Sequence, residues 1–347
     1  MRTTRRHTAA DAVPAPFKSW IEERLAANRL HALRFEQMRS AASYRRFTRV
    51  VTETTSFVAM EAPPGRENAR QFVALAQHFA HHGIPVPSIV DNDLDRGFLL
   101  VDDLGDRHVH DIYGTAEEAP ALAAAVDTLA AIQRLPRVEI VAPYTRERLA
   151  DEFGLCAEWL LVRFLDIEPS VAVRRMLDRA RDHLVERIAA QPTCTVHRDY
   201  HSQNLMWREQ RRLGVLDFQD ALWGPAFYDI ASLLRDCYHR FDEPTIRRWR
   251  ELFRERVGDR LPDLTADELA EQVDLTAIQR QIKAIGIFAR LQVRDGRDVH
   301  LRDIPPVLDQ LIDTAARYPP TADLAAWLAD DVRLPTERAL ARNRLAR

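Results

Sequence analysis

The order of apolar and polar positions along the chain divides it into two regions of different period. Residues 17–30 place Trp20, Ile21, Leu25 and Leu30 at helical spacing. Short β-like runs follow at 33–38, 44–51 and 56–60, and the small polar stretch Arg39-Ser40-Ala41-Ala42-Ser43 links the first two. Pro63-Pro64-Gly65 breaks the chain, 67–82 reads as an amphipathic helix ending at Gly83, and strands at 88–91 and 97–102 flank the turn 92–96. Five strands with a helix between the third and fourth predict a small α+β lobe. Beyond Asp102-Asp103-Leu104-Gly105 the period changes to 3.6, and 117–134, 145–165 and 171–190 predict helices. Only 194–219 interrupts with strand-like runs. Helices resume from 226, with breaks at Pro244, Pro262, Pro305-Pro306 and Pro319-Pro320.

The expected organisation is therefore a disordered lead-in over 1–16, a β-rich N-lobe over 17–102 and a helical C-lobe over 103–347. The chain's 347 residues suffice for two lobes of unequal size. A net charge of −3 leaves no electrostatic footprint for nucleic acid. Three cysteines without paired spacing argue against a disulfide framework and a zinc site. No apolar run approaches a membrane span, and the basic N-terminus lacks the apolar stretch of a secretory signal. The expectation is a cytoplasmic protein with no membrane partner and a monomer favoured. Positive charge is almost all arginine, with Lys18 and Lys283 the only lysines.

Chemistry concentrates in Val196-His197-Arg198-Asp199-Tyr200-His201-Ser202-Gln203-Asn204, followed by Leu216-Asp217-Phe218. Asp199 with Asn204 five residues on, and Asp217 thirteen further on a β-like run, has the spacing of a phosphoryl-transfer site. Asp199 reads as the base in a catalytic loop over 197–204. Asn204 and Asp217 read as oxygen ligands for Mg²⁺ bridging the phosphates of ATP. The competing view is a surface loop containing H-R-D and N by chance, with Asp217 capping a turn. The order of lobes agrees with the first view and predicts a protein-kinase-like two-lobed fold. Asp229, twelve residues past Asp217, reads as a structural residue tying down the loop with His197. So short a separation leaves no peptide-docking segment, so the acceptor is expected to be a small molecule.

The segments VHRDYHSQN, LDFQDA and GPAFYDIASLL resemble the motifs of the aminoglycoside phosphotransferase and choline kinase superfamily. SAASYRRFTRV, FVAMEAPPGREN, RGFLLVDDLGD and LTAIQRQIKAIGIFARLQVRDG further resemble the anomeric N-acetylmuramate/N-acetylglucosamine kinases of bacterial cell-wall recycling, over roughly 36–320. The resemblance implies phosphorylation of the C1 hydroxyl of an amino sugar, giving a sugar 1-phosphate. It departs from the general kinase plan at the third strand, where Val58-Ala59-Met60-Glu61 offers methionine in the lysine position.

Arg45 or Arg46 is a candidate replacement cation, with Ser40 and Ser43 in the same turn. The alternative is that these arginines face solvent. Without the lysine, Glu67 is expected only to favour the start of the following helix. Asp102 and Leu104 mark the hinge expected beside the adenine. Acceptor candidates are His201, Gln203, Gln219, Asp220 and Trp223, the last as a stacking ring for a sugar face. Arg280 and Lys283, with Arg290, share a helix on which one cation could meet a lactyl carboxylate. The bland alternatives are a core Trp223 and a solvated cationic face. A phosphotransferase for another hydroxyl metabolite or an aminoglycoside, and a silent pseudokinase binding module, compete with the amino-sugar reading.

Overall fold

The computed structural model describes residues 13–38, 44–258, 260–261 and 263–345. The chain falls into two compact units. The first holds residues up to Asp106 together with Gly214–Gln219, and the second holds Arg107–Leu213 and Asp220–Arg347.

The first unit is an antiparallel sheet of five strands in the order β1-β2-β3-β5-β4. These are β1 (Arg34–Met38), β2 (Arg46–Val51), β3 (Ser56–Glu61), β4 (Ile89–Asp93) and β5 (Phe98–Asp102), with α1 (Ala15–Ala27) before them and α2 (Ala69–His81) after β3. Phe17, Trp20, Ile21 and Leu25 of α1 pack on Val50, Ala59, Phe98 and Leu100 of the sheet. Met60, in the lysine position, is buried opposite Phe47 of β2. Helix α1 starts at Ala15, inside the expected lead-in. Pro14 and Pro16 hold the φ of a helical first turn, which apolar spacing alone does not reveal.

The segment Gly214–Gln219, expected in the helical lobe, belongs to the first unit. Phe218 lies 5.0 Å from the Phe72 ring and 5.6 Å from that of Phe79, both on α2. The Val215 amide donates to the Pro85 carbonyl at 2.7 Å. Burial of Phe218 against this helix face accounts for the assignment.

The second unit is mainly helical: α3 (Glu118–Gln133), α4 (Arg146–Leu155), α5 (Val171–Ala189), α6 (Tyr228–Leu234), α7 (Glu243–Val257), α8 (Ala266–Asp295), α9 (Ile304–Ala315), α10 (Pro319–Trp327) and α11 (Arg333–Leu345). Helix α4 continues as a π-helical stretch over Cys156–Phe164. Helix α8 begins in a Thr265–Glu268 capping box and ends at Gly296 in the left-handed conformation. Ile278, Ile282 and Ile285 place it in a core shared with Leu160, Leu184 and Val196. At Gly286 a β-carbon would lie 2.5 Å from the backbone of Leu155, so only glycine lets α8 approach where the π-helical stretch begins. Strand β6 (Thr193–Val196) pairs antiparallel with β9 (Leu222–Pro225), and the short strands β7 (Leu205–Arg208) and β8 (Arg212–Val215) lie between them in the chain. Among the described residues no helix is long and apolar enough to cross a membrane.

Candidate active site

Buried strand β6 delivers the chain into the loop 197–204. The backbone N–H groups of His197 and Arg198 both donate to the Asp229 carboxylate, at 2.7 and 2.9 Å. Asp229 is in the first turn of α6 and 1% exposed. Burial pushes its carboxyl above the ordinary value, against the pull of His197 and these backbone donors. Arg198 takes φ 78°, a strained conformation for a side chain of its size. Its guanidinium donates to Glu152 at 2.7 Å, so the residue is fixed at both ends.

The rest of the loop is equally restrained. The Asp199 amide meets His197 Nδ1 at 3.3 Å, and Asn204 Nδ2 donates to the Asp199 carbonyl at 2.9 Å. Ser202 donates through its amide and hydroxyl to Asp236, and the Tyr200 hydroxyl donates to the Ala125 carbonyl at 2.8 Å. Asp199, half-buried, is thereby carried on a rigid support.

Its electrostatic surroundings are cationic. Burial opposes ionisation, but Lys283, His201, Arg198 and Arg280 together hold the Asp199 carboxyl well below the usual carboxylate range. Arg280 and Lys283 are not on a solvated face; they are 6% and 7% exposed. Lys283 Nζ lies 3.6 Å from Glu152 and donates to the Tyr228 hydroxyl at 3.3 Å. Glu152 also accepts from the Tyr144 hydroxyl. Tyr144 is seated against Gly224 of β9, where a β-carbon would stand 2.6 Å from its own. Desolvation raises the Glu152 carboxyl, yet Lys283 and Arg198 outweigh it and keep it low. Arg290 is half-buried, and burial lowers its pKa. Glu152 and Tyr144 carry no motif that would have marked them in the sequence.

The other acceptor candidates are more dispersed. The His201 ring lies 5.2 Å from that of Tyr238, and its Nε2 is 3.4 Å from Asn204 Nδ2. Tyr238, half-buried and also facing Phe288 and His300, is an aromatic group that the sequence did not single out. Gln203 is half-buried in the turn Ser202–Asn204. Asp220 is exposed, and its backbone carbonyl accepts from Arg198 at 3.5 Å. Trp223 is half-buried in β9 opposite Thr195, with the exposed Arg137 guanidinium 5.8 Å from its ring.

In the first unit Asp217 has φ 60°, and Gln219, an acceptor candidate by sequence, donates to its carboxylate at 2.7 Å. Arg45 lies 3.8 Å from the same carboxylate and 3.2 Å from Glu67. Glu67 is thus an ion-pair partner ahead of α2, whose N-cap is Asn68, and not a charge inside its first turn. Arg46 is half-exposed and pairs with Glu61 across the sheet, which separates it from Arg45. Asp102 exchanges hydrogen bonds with Ser88, and Leu104 is buried. Arg49 joins β2 to Asp103 and Asp106, at 2.6 Å each. Ser40 and Ser43 lie outside the described residues.

Asn204, its amide nitrogen held by Asp199, and Asp217, with a part-exposed carboxylate, are hard oxygen donors of the kind Mg²⁺ takes alongside phosphate and water. No group of three or more His, Cys, Asp or Glu among the described residues forms a metal cage of its own. Taken singly, the donor chemistry of each residue suits Mg²⁺.

A small antiparallel sheet unit followed by a helical one, with an H-R-D loop pinned by a buried aspartate, defines a kinase-like phosphotransferase architecture. The chain belongs to the phosphotransferase enzyme family, whose model matches residues 34–266. It is 37% identical over 295 residues to an N-acetylmuramate/N-acetylglucosamine kinase of Pseudomonas aeruginosa, covering 84% of this chain and 86% of that one. A protein of the same name from Neisseria meningitidis is 33% identical, with 83% and 88% covered. In fold it is similar to an ADP-bound aminoglycoside phosphotransferase, at a TM-score of 0.59 and 14% identity over 86% of this chain and 98% of the other. The choline kinase LicA of Streptococcus pneumoniae gives 0.62 and 14%, over 86% and 100%.

Proposed function

We propose that the chain transfers the γ-phosphate of ATP to the anomeric C1 hydroxyl of N-acetylmuramate or N-acetylglucosamine, giving the sugar 1-phosphate during reuse of cell-wall amino sugars. The observation that carries the reading is Asp199, held ionised by buried cations on a loop fixed by Asp229. The names of the relatives support the amino-sugar acceptor.

Asp199 orients the acceptor hydroxyl and takes its proton as the oxygen–phosphorus bond forms. The cations beside Asp199 keep it ionised and ready to accept a proton, which an acidic hydroxyl gives up most readily. The anomeric hydroxyl is the most acidic on the sugar because the ring oxygen withdraws electron density from C1. Asn204 and Asp217 would hold Mg²⁺, which neutralises phosphate charge when bound; Gln219 and Arg45 orient the Asp217 carboxylate. Cations around Asp199 disfavour a polycationic aminoglycoside as acceptor. The intact Asp199, Asn204 and Asp217 disfavour a silent binding module.

The test is product identity. Incubation with ATP, Mg²⁺ and each amino sugar, followed by phosphorus NMR, should give the 1-phosphate, and the 1-O-methyl glycoside should be inert. A 6-phosphate, or turnover of the methyl glycoside, would refute the anomeric assignment.

A further inference from the structure

Arg280 is a buried charge that the catalytic loop does not account for. Its side chain is 94% removed from solvent, and among the described residues it makes no hydrogen bond and no ion pair. Its Nε is fully buried without an acceptor, and the Tyr228 ring lies 5.5 Å from the guanidinium carbon. The carboxylates around it serve other donors. Glu152 takes Arg198 and Lys283, Asp229 takes the amides of His197 and Arg198, and Asp236 takes Ser202 and the Tyr238 amide. Lys283, one turn further along α8, is already paired. A buried guanidinium with unmet donors is costly unless an anion completes it. No carboxylate of the second unit does so.

We propose that Arg280 anchors the carboxylate of the acceptor, and so distinguishes N-acetylmuramate, which carries a lactyl carboxylate, from N-acetylglucosamine, which does not. The proposal rests on the amino-sugar reading above. The planar fork of arginine matches a carboxylate with two parallel hydrogen bonds. The Tyr228 ring beside Arg280 carries the hydroxyl that accepts from Lys283, and Lys283 pairs with Glu152, the partner of Arg198, so the fork lies one layer of side chains from the loop that carries Asp199. A guanidinium serving the transferred phosphoryl group would help both sugars equally, and this separates the two sources of negative charge.

The experiment measures KM and kcat for both sugars, with acceptor affinity by calorimetry in the absence of ATP, in wild type, Arg280→Lys and Arg280→Met. Turnover should fall for both sugars through Asp199. The ratio of muramate KM to glucosamine KM should rise by about 10–100-fold in Arg280→Met, the worth of hydrogen bonds to a charged group, and by less in Arg280→Lys. The methyl ester of N-acetylmuramate should bind wild type as weakly as the free acid binds Arg280→Met. An unchanged KM ratio, or an ester that binds as well as the acid, overturns the proposal. If Arg280→Met does not fold, the KM ratio in Arg280→Lys and the affinity of wild type for ester against acid decide in its place: an unchanged ratio or an equal affinity overturns the proposal. A wild type that phosphorylates neither sugar overturns the amino-sugar reading itself, a distinguishable result.

Discussion

The Asp229 carboxylate receives the Arg198 amide at 2.9 Å, and Arg198 is held there in a left-handed conformation that its side chain would not choose. The carboxylate thereby maintains backbone strain one residue before Asp199. In Asp229→Asn one acceptor oxygen becomes an N–H facing another N–H. The expected loss is on the order of 1–3 kcal/mol of stability, together with a fall in turnover. Denaturant unfolding and steady-state kinetics measured on the same preparation check this. Lost activity with unchanged stability would instead assign Asp229 a direct chemical role.

Adjacent arginines in the first unit should behave differently. Arg45 pairs with Glu67 and approaches Asp217, whereas Arg46 pairs across the sheet with Glu61. Arg45→Gln should weaken ATP affinity about tenfold, as expected for losing a charge-assisted contact. Arg46→Gln should change it by less than about twofold, in keeping with an exposed pair. Calorimetric titration with ATP and Mg²⁺ distinguishes them; equal effects would count against Arg45 as the substitute cation.

Acid should destabilise the chain. Cations lower the carboxyls of Glu152 and Asp199 against the effect of burial, and Arg317 and Arg235 bring Glu243 down to about 2. Each group is more acidic folded than unfolded, so protons bind the unfolded chain first. The stabilisation is complete above about pH 4.5 and is lost as pH falls toward about 2. Urea unfolding between about pH 7 and pH 3 should show this decline, and Glu243→Gln should make it shallower. Stability that rises on acidification would contradict the assignment.

Gly286→Ala should destabilise, although alanine is the better helix former. A β-carbon there meets the Leu155 carbonyl carbon at 2.5 Å and the Cys156 amide nitrogen at 2.6 Å, both backbone atoms. Overpacking of about 1–3 kcal/mol exceeds the gain in helix propensity of up to about 1 kcal/mol. The denaturation midpoint reads the difference; a more stable alanine variant would show that α8 is free to move away.

The elements were legible because each carries its own pattern: alternation in β2, a continuous apolar run in β5, helical spacing in α2 and α5. Their ends were less so, since they depend on single residues such as Pro14 and Asn68. The loop around Asp199 was legible because its groups are contiguous. Glu152 was not, because its meaning arises only where α4, α8 and the loop converge. The cations of α8 could be read as a solvated face because charged side chains on a helix usually are. Gln279 and Gln281 are buried with them, so the polar residues of this helix face the interior and not solvent.

The return of Gly214–Gln219 to the first unit also bears on synthesis. A ribosome that has released Asp106 has not yet made the strand-like piece whose Phe218 packs against Phe72 and Phe79. The N-terminal unit therefore cannot complete its core until most of the 347 residues have been translated. A fragment cut at the apparent lobe boundary would expose that helix face, and splitting the gene there would yield a half that waits for six residues encoded far downstream.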